Sequence, residues 1–299
     1  MNIFITGASG WIGSAVTDEL LANGYAVTGL ARSDKSAAAL EAKGVDVHRG
    51  SLDDPASLAA AAKAADAVIH LAFIHDFDNF AASGRAEHDA VKAMLDALEG
   101  SGKTFMLASG TTGASRTAPG AATEDDPSPF HGRDSVRGGA ENLALSYAEK
   151  DVRPVALRFP IVHGRVGDPG FVAYLAQVAK ERGVSGYIGD GSQVWAAVDR
   201  ADAALGVRLA LEKAPAGFRA HIVAEQGTPT REIAEALGQR LGLPVESVSP
   251  EDAEAHFGWM ARMFGAGTPA SSDITRRTLG WTPTGPTLLD DIAAGAYDL

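Results

Sequence analysis

The sequence predicts an α/β fold: a doubly wound parallel sheet with a smaller C-terminal lobe. Three observations carry that prediction. The chain opens on an apolar run, Ile3-Phe4-Ile5, followed by glycines at 7, 10 and 13 and then a helical pattern. Short apolar runs and helical patterns then alternate through six units before Phe159. Such alternation gives a parallel sheet with right-handed crossovers. From Phe159 onward the rhythm breaks into a turn-rich connector and shorter elements.

The first unit organises the rest. Ile3 to Ile5 reads as a buried strand. Val16, Leu20 and Leu21 share one helical face, and Asn23-Gly24 ends that helix. Gly7, Gly10 and Gly13 therefore sit where a strand becomes a helix, with Ser9, Trp11 and Ile12 between them. Glycine there permits a tight turn and lets backbone N–H groups approach a pyrophosphate, while the helix N-terminus adds positive charge. Dinucleotide binding is the reading, against the plainer alternative of a tight turn.

Residues 25–30 form the second strand, which ends at Ala31-Arg32-Ser33. An acidic residue about twenty positions after the glycines would bond a ribose 2′-hydroxyl and repel a 2′-phosphate. Arg32 and Ser33 offer instead a fixed cation and a hydroxyl, a pair suited to a phosphate dianion. NADP is expected over NAD.

Residues 36–43 read as a helix and 45–48 as the third strand. A helix begins at Pro55, capped by Asp53 or Asp54. Residues 67–71 form the fourth strand. Ligands of open α/β sheets lie beyond the carboxyl ends of strands. Ser51-Leu52 and Leu71-Ala72-Phe73 are therefore candidate walls for adenine and ribose. Residues 74–84 read as a loop, 85–98 as a helix and 104–108 as the fifth strand, with Ser109-Gly-Thr-Thr-Gly113 at its end. Residues 114–130 form a loop long enough to suggest function. A helix over 133–150 and a sixth strand over 154–158 follow. The expected division is a dinucleotide-binding domain over 1–165 and a mainly substrate-binding lobe over 166–299, with 194–223 returning to the sheet.

The chain has 299 residues, 45% hydrophobic and 21% charged, which is an ordinary globular composition. A net charge of −12 argues against nucleic acid or an anionic membrane as partner. The absence of cysteine excludes disulfides, thiolate catalysis and zinc–thiolate sites. No run of eighteen apolar residues and no leader pattern are present, so a soluble, cytoplasmic protein is expected. The eight histidines are scattered, and His75 with Asp76 and Asp78 reads as solvated loop polarity rather than a metal site. No nucleophile elbow or phosphate loop occurs.

Thr6-Gly-Ala-Ser-Gly-Trp-Ile-Gly13 resembles the nucleotide motif of extended short-chain dehydrogenase/reductases. Val68-Ile-His-Leu-Ala72, Arg158-Phe-Pro-Ile-Val-His-Gly164, Asp202 and Leu279-Gly-Trp-Thr-Pro283 follow in that family's order. The chain is most similar to NAD-dependent epimerase/dehydratase-like proteins of the atypical subgroups. The resemblance implies a Rossmann sheet, a nicotinamide dinucleotide, and a place for Pro160 and Val162 beside it. It also implies a homodimer through the helices over 85–98 and 133–150.

The family's site pairs a Ser or Thr after the fifth strand with a Tyr followed four residues later by a Lys. No Tyr-x-x-x-Lys occurs here. Matching Ala140-Glu141 to the family pattern puts Arg133 and Arg137 at those two positions. A guanidinium stabilises an oxyanion but is a poor proton donor near neutral pH. Ser109, Thr111 or Thr112 retains the Ser/Thr element, so Ser109, Thr111, Arg133 and Arg137 are the catalytic candidates. The expected activity is an NADP-dependent reduction of a small organic acceptor. Imines, activated alkenes or quinones suit it better than ketones, unless Tyr174, Tyr187 or His131 replaces the missing acid. The alternative is a non-catalytic NADP-binding regulator that uses the 114–130 loop as a partner surface.

Overall fold

The computed structural model describes residues 1–76, 79–114 and 120–298. The first half of the chain runs β1 (Asn2–Thr6), α1 (Trp11–Ala22), β2 (Ala26–Ala31), α2 (Asp34–Glu41), β3 (Asp46–Arg49), α3 (Pro55–Ala64), β4 (Ala67–His70), α4 (Phe80–Leu98), β5 (Thr104–Gly110), α5 (Ala140–Ser146) and β6 (Arg153–Phe159). The second half continues with β7 (Ile161–His163), α6 (Phe171–Arg182), β8 (Ser185–Ile188), β9 (Val194–Asp199), α7 (Arg200–Lys213), β10 (Phe218–His221), β11 (Glu225–Pro229), α8 (Thr230–Leu241) and β12 (Val245–Val248). Four short helices close it: α9 (Ala253–Phe257), α10 (Ala261–Ala266), α11 (Asp273–Leu279) and α12 (Leu288–Ala293).

Seven parallel strands form the central sheet in the order β10-β6-β5-β4-β1-β2-β3. Alternate residues of each strand face opposite sides. Ile3, Ile5, Ile69 and Val155 therefore pack with Val16, Leu20 and Val207 of α1 and α7. Phe4, Val68 and Phe105 pack with Leu58, Val91, Leu95 and Ala144 of α3, α4 and α5. Burial on both faces explains why these strands read as continuous apolar runs rather than alternating ones.

Beyond the sheet, β9 pairs parallel with β7 and antiparallel with β11, and β8 pairs parallel with β12. Trp195, Phe257, Phe264 and Tyr297 fill a separate core among α6, α8 and the short helices. His163 at the end of β7 bonds Asp291 of α12 at 2.7 Å, in full burial, and so ties the C-terminal helix to the strand.

The first turn follows from its glycines. Gly7 has φ +73°, and a Cβ there would lie 2.8 Å from the Ala72 nitrogen. A Cβ on Gly13 would lie 2.0 Å from the Gly7 carbonyl oxygen. Only glycine lets α1 start this close to the ends of β1 and β4.

Two elements differ from expectation. Helix α4 starts at Phe80, inside the stretch read as a loop. Its early buried residues are Ser83, Gly84 and Glu87, which carry no apolar periodicity. The helix expected over 133–150 is the second. The chain instead makes a turn in which Arg137, Gly138 and Gly139 all have positive φ, near +50° to +58°. Only 140–146 is α-helical, followed by a 3-10 turn over 147–150. Arg137 is a non-glycine residue in left-handed backbone, an uncommon and costly state.

That turn is pressed onto α4. A Cβ on Gly138 would lie 2.2 Å from the Gly84 carbonyl oxygen and 2.7 Å from the His88 Cβ. Gly44 has a similar φ of +76° but open space around it. Gly138→Ala should therefore cost roughly 3 kcal/mol or more, and Gly44→Ala about 1 kcal/mol. Urea unfolding of both variants checks this. Equal costs would contradict the close contact.

Candidate functional site

A groove of about 450 Å³ runs along the carboxyl ends of β1 to β4. Gly7 and Ser9 line it from the first turn, Arg32 and Ser33 from the end of β2, Ser51 and Leu52 from beyond β3, and Ala72 and Phe73 from beyond β4. Eight of the residues expected around a dinucleotide thus share one wall. Gly10 caps α1 without a side-chain acceptor, so the N–H groups of the first helical turn have no side-chain partner. A cradle that a Cβ would fill, at a free helix N-terminus, fits a pyrophosphate. Leu71, Ile12, Pro160 and Val162 do not line the groove. Trp11 does not line it either. Its Nε1 donates to the Val162 carbonyl at 3.1 Å, and the Arg200 guanidinium lies 4.2 Å over its ring. It is a strut between α1 and the strand end.

Arg32 is exposed and makes no ion pair among the described residues. The nearby carboxylate of Asp34 is taken by Arg49 at 2.5 Å. The Ser33 hydroxyl caps α2 by accepting the Ser36 N–H at 3.2 Å. A guanidinium, a hydroxyl and a helix start therefore stand together at the groove's edge.

A second cavity, of about 220 Å³, lies at the carboxyl end of β5. Ser109 lines it and donates its hydroxyl hydrogen to Glu141 Oε2 at 2.7 Å. Glu141 is held from behind by the fully buried Arg158, with Nη2 2.6 Å from Oε1. Arg158 also donates to the Asp126 carbonyl at 2.8 Å and faces His221 Nε2 at 3.2 Å. His221 Nδ1 meets the Ser271 carbonyl at 2.8 Å. Burial, with Arg158 adding to it, lowers the His221 pKa, so this ring is the neutral tautomer that donates from Nδ1. Ser109 is thus oriented by a buried chain of contacts that reaches the C-terminal segment.

Arg137 lines the same cavity from the left-handed turn. Its Nε donates to Glu87 Oε2 at 3.0 Å and its Nη2 to Glu87 Oε1. Its guanidinium lies 4.4 Å over the ring of Phe73. Phe73 lines the groove and Arg137 the cavity, so this stack joins the two spaces. Glu87 is buried, and burial raises its carboxyl pKa while Arg137 opposes the shift. His70 lies fully buried at the end of β4, its Nδ1 2.8 Å from Thr6 Oγ1. Burial, and then the Arg137 charge, push its pKa down to about 3.

The other expected residues lie elsewhere. Arg133 is exposed and paired to Asp89 of α4 at 2.6 and 2.8 Å, outside the cavity. Thr111 is buried but does not line the cavity, whereas Thr112 does. No tyrosine lines it. Tyr174 donates to the Phe257 carbonyl at 3.1 Å in the C-terminal core, and Tyr187 on β8 lies under Arg231. His131 is exposed beside Asn142. None of these three takes the place of the absent phenol. Glu87 was not anticipated, because a carboxylate on a helix ordinarily reads as a solvated face. Asp78, and residues 115–119 of the long loop, lie outside the described residues; His75 and Asp76 line the groove.

A seven-stranded parallel sheet with a glycine-lined first turn and a groove across its carboxyl edge defines a dinucleotide-binding α/β protein. The chain belongs to the NAD dependent epimerase/dehydratase family, whose model matches residues 3–224. A nicotinamide dinucleotide is therefore its cofactor class. The chain is 43% identical to the uncharacterized protein YLL056C of Saccharomyces cerevisiae, covering 98% of each chain. It is 41% identical to the uncharacterized protein C2A9.02 of Schizosaccharomyces pombe, over 99% of this chain and 100% of that one. Its fold is similar to that of DesIV, a dTDP-glucose 4,6-dehydratase from Streptomyces venezuelae, with TM-score 0.77 and 22% identity over 99% of this chain and 96% of that one.

His70 gives this region a pH signature. Its folded pKa lies below its unfolded value of about 6.5, so the unfolded chain takes up the proton first. The stability linked to neutral His70 is present above pH 6.5 and is lost as pH falls toward 3. Relative to His70→Leu, the wild-type protein should lose up to about 1.4 kcal/mol per pH unit across that window. Urea unfolding of both proteins between about pH 7 and 4 checks it. A pH-independent difference would contradict a neutral buried ring.

Proposed function

We propose that this protein is an NADP-dependent reductase of small organic acceptors that works without a tyrosine acid. The observation that carries this reading is the Phe73–Arg137 stack, which joins the glycine-lined groove to a cavity containing Ser109. The N–H groups at the start of α1 would hold the pyrophosphate, and Arg32 with Ser33 would hold the adenosine 2′-phosphate. Phe73 and Arg137 would flank the nicotinamide end, and the reduced cofactor, when bound, would supply hydride to an acceptor in the cavity.

The chain's own residues then set what the acceptor must be. Reduction of a simple ketone leaves an alkoxide that needs a proton close by. Ser109 has given its hydrogen to Glu141, and a guanidinium does not release one near neutral pH. Acceptors that do not need an immediate proton on oxygen suit this cavity: iminium ions, activated alkenes and quinones. Catalytic roles fall to Ser109 and Arg137. Pairing of two copies through α4 and the 133–150 segment, and a soluble cytoplasmic setting, complete the reading.

The competing reading is a protein that binds NADP and catalyses nothing, favoured by the same missing phenol. NADPH oxidation by any acceptor of the three classes separates the two.

Arg32→Ala should weaken NADPH binding about ten- to a hundredfold and leave NADH binding within about twofold, because on this reading Arg32 would meet the 2′-phosphate alone. Titration calorimetry with both cofactors measures this. Equal weakening of both would remove the case for NADP.

A further inference from the structure

We infer that the cavity takes α,β-unsaturated carbonyl compounds, and that Arg137 holds the carbonyl oxygen on which their charge collects during reduction. This rests on the reductase reading above and selects one acceptor class from it.

The donors around the cavity make the selection. Glu141 is held by Arg158 and Glu87 by Arg137, so both carboxylates are acceptors. The Ser109 hydrogen points to Glu141. Arg137 commits Nε and Nη2 to Glu87, while its Nη1 makes no hydrogen bond among the described residues. That Nη1 is the charged side-chain donor left for a ligand oxygen, beside the neutral hydroxyls of Thr112 and Ser128. A guanidinium there stabilises an anion without transferring a proton, and does so more strongly in a site shielded from water.

An alkoxide is a strong base and gains little lasting stabilisation from such a donor. An enolate is a weaker base, with its charge shared between oxygen and carbon, and can persist under a guanidinium until water protonates it. An iminium ion would instead carry positive charge toward Arg137. The apolar wall agrees with a flat conjugated ligand: Phe80, Leu107, Phe130 and Val136 all line the cavity. The backbone agrees as well. Arg137 has φ +50° and ψ +36°, and the Gly138 carbonyl is fixed by His88 Nδ1 at 2.6 Å. A strained residue held from both sides is what preorganisation of one donor requires.

Hydride adds to the β-carbon, and the two electrons of the C=C bond shift so that the carbonyl oxygen becomes an enolate oxygen at Arg137. The α-carbon then takes a proton from water, leaving hydroxide. The alkene is reduced and the dinucleotide is oxidised by the same two electrons.

The test uses the full chain with NADPH and a matched pair, cyclohexenone and cyclohexanone. Cyclohexenone should be the better substrate by about a hundredfold in kcat/KM. Its product should be cyclohexanone, with cofactor deuterium at the β-carbon and solvent deuterium at the α-carbon. A readout independent of turnover is 4-nitrophenol bound in the NADP complex. Its ionisation should fall about one pH unit below the free value, and the shift should vanish in Arg137→Met but survive in part in Arg137→Lys.

Equal rates on the pair, the allylic alcohol as product, or an unshifted nitrophenol in the wild-type protein would each overturn the inference. NADPH bound but oxidised by neither ketone would overturn it too, while leaving the cofactor reading intact. Failure to bind NADPH at all would remove the reading beneath it. The wild-type measurements decide the matter even where Arg137→Met does not fold.

Discussion

Gly138 approaches α4 so closely that a single added methyl carbon would strike the backbone of Gly84. Much of the site depends on this contact. It turns the chain out of the helix its flanking residues would otherwise continue, and it forces Arg137 into left-handed backbone. In that position the guanidinium reaches Glu87 on α4 and lies on Phe73 beyond β4. A longer side chain at either glycine would push the turn off the helix and withdraw Arg137 from both partners.

Two ion pairs frame the cavity: Arg158–Glu141, buried on both sides, and Arg137–Glu87, in which the carboxylate is buried and the guanidinium partly exposed. Each removes charge from water, which is costly unless geometry and additional hydrogen bonds compensate. Arg158 is compensated fully, by Glu141, the Asp126 carbonyl and His221. Arg137 is compensated in part, with one nitrogen left over. The first pair is therefore a positioning device for Ser109, and the second leaves a donor to spend on a ligand. Removing either member of the Arg158–Glu141 pair, or Arg137 from the other, strands a buried charge, so such variants report on stability as well as on chemistry.

Much of the fold was legible because its strands are buried on both faces and its helices carry clear stops. Helix α3 starts where expected, with Pro55 at its first position and Asp54 as its cap. The groove was legible through glycine spacing and the residues after each strand. The start of α4 was not, because Ser83, Gly84 and Glu87 are buried without being apolar. The turn over 137–139 was hidden for a related reason. Two glycines in a helical pattern cost only about 1 kcal/mol each, which is too little to predict a break, and the contact that decides it comes from a helix fifty residues away. Matching Ala140-Glu141 to the family pattern put Arg133 and Arg137 together at the two positions of the missing pair. The turn separates them, sending Arg133 to Asp89 at the surface and Arg137 into the cavity.

The proposed function requires one placement: the redox end of a dinucleotide at the junction of Phe73 and Arg137, with no phenol nearby. A crystal structure of the NADPH complex tests it most directly. The account predicts the nicotinamide ring facing the Ser109 cavity, with the Arg137 guanidinium as the nearest cation and the 2′-phosphate against Arg32. A nicotinamide ring turned away from that cavity, or one with a tyrosine hydroxyl in hydrogen-bonding reach of the space beside it, would contradict it.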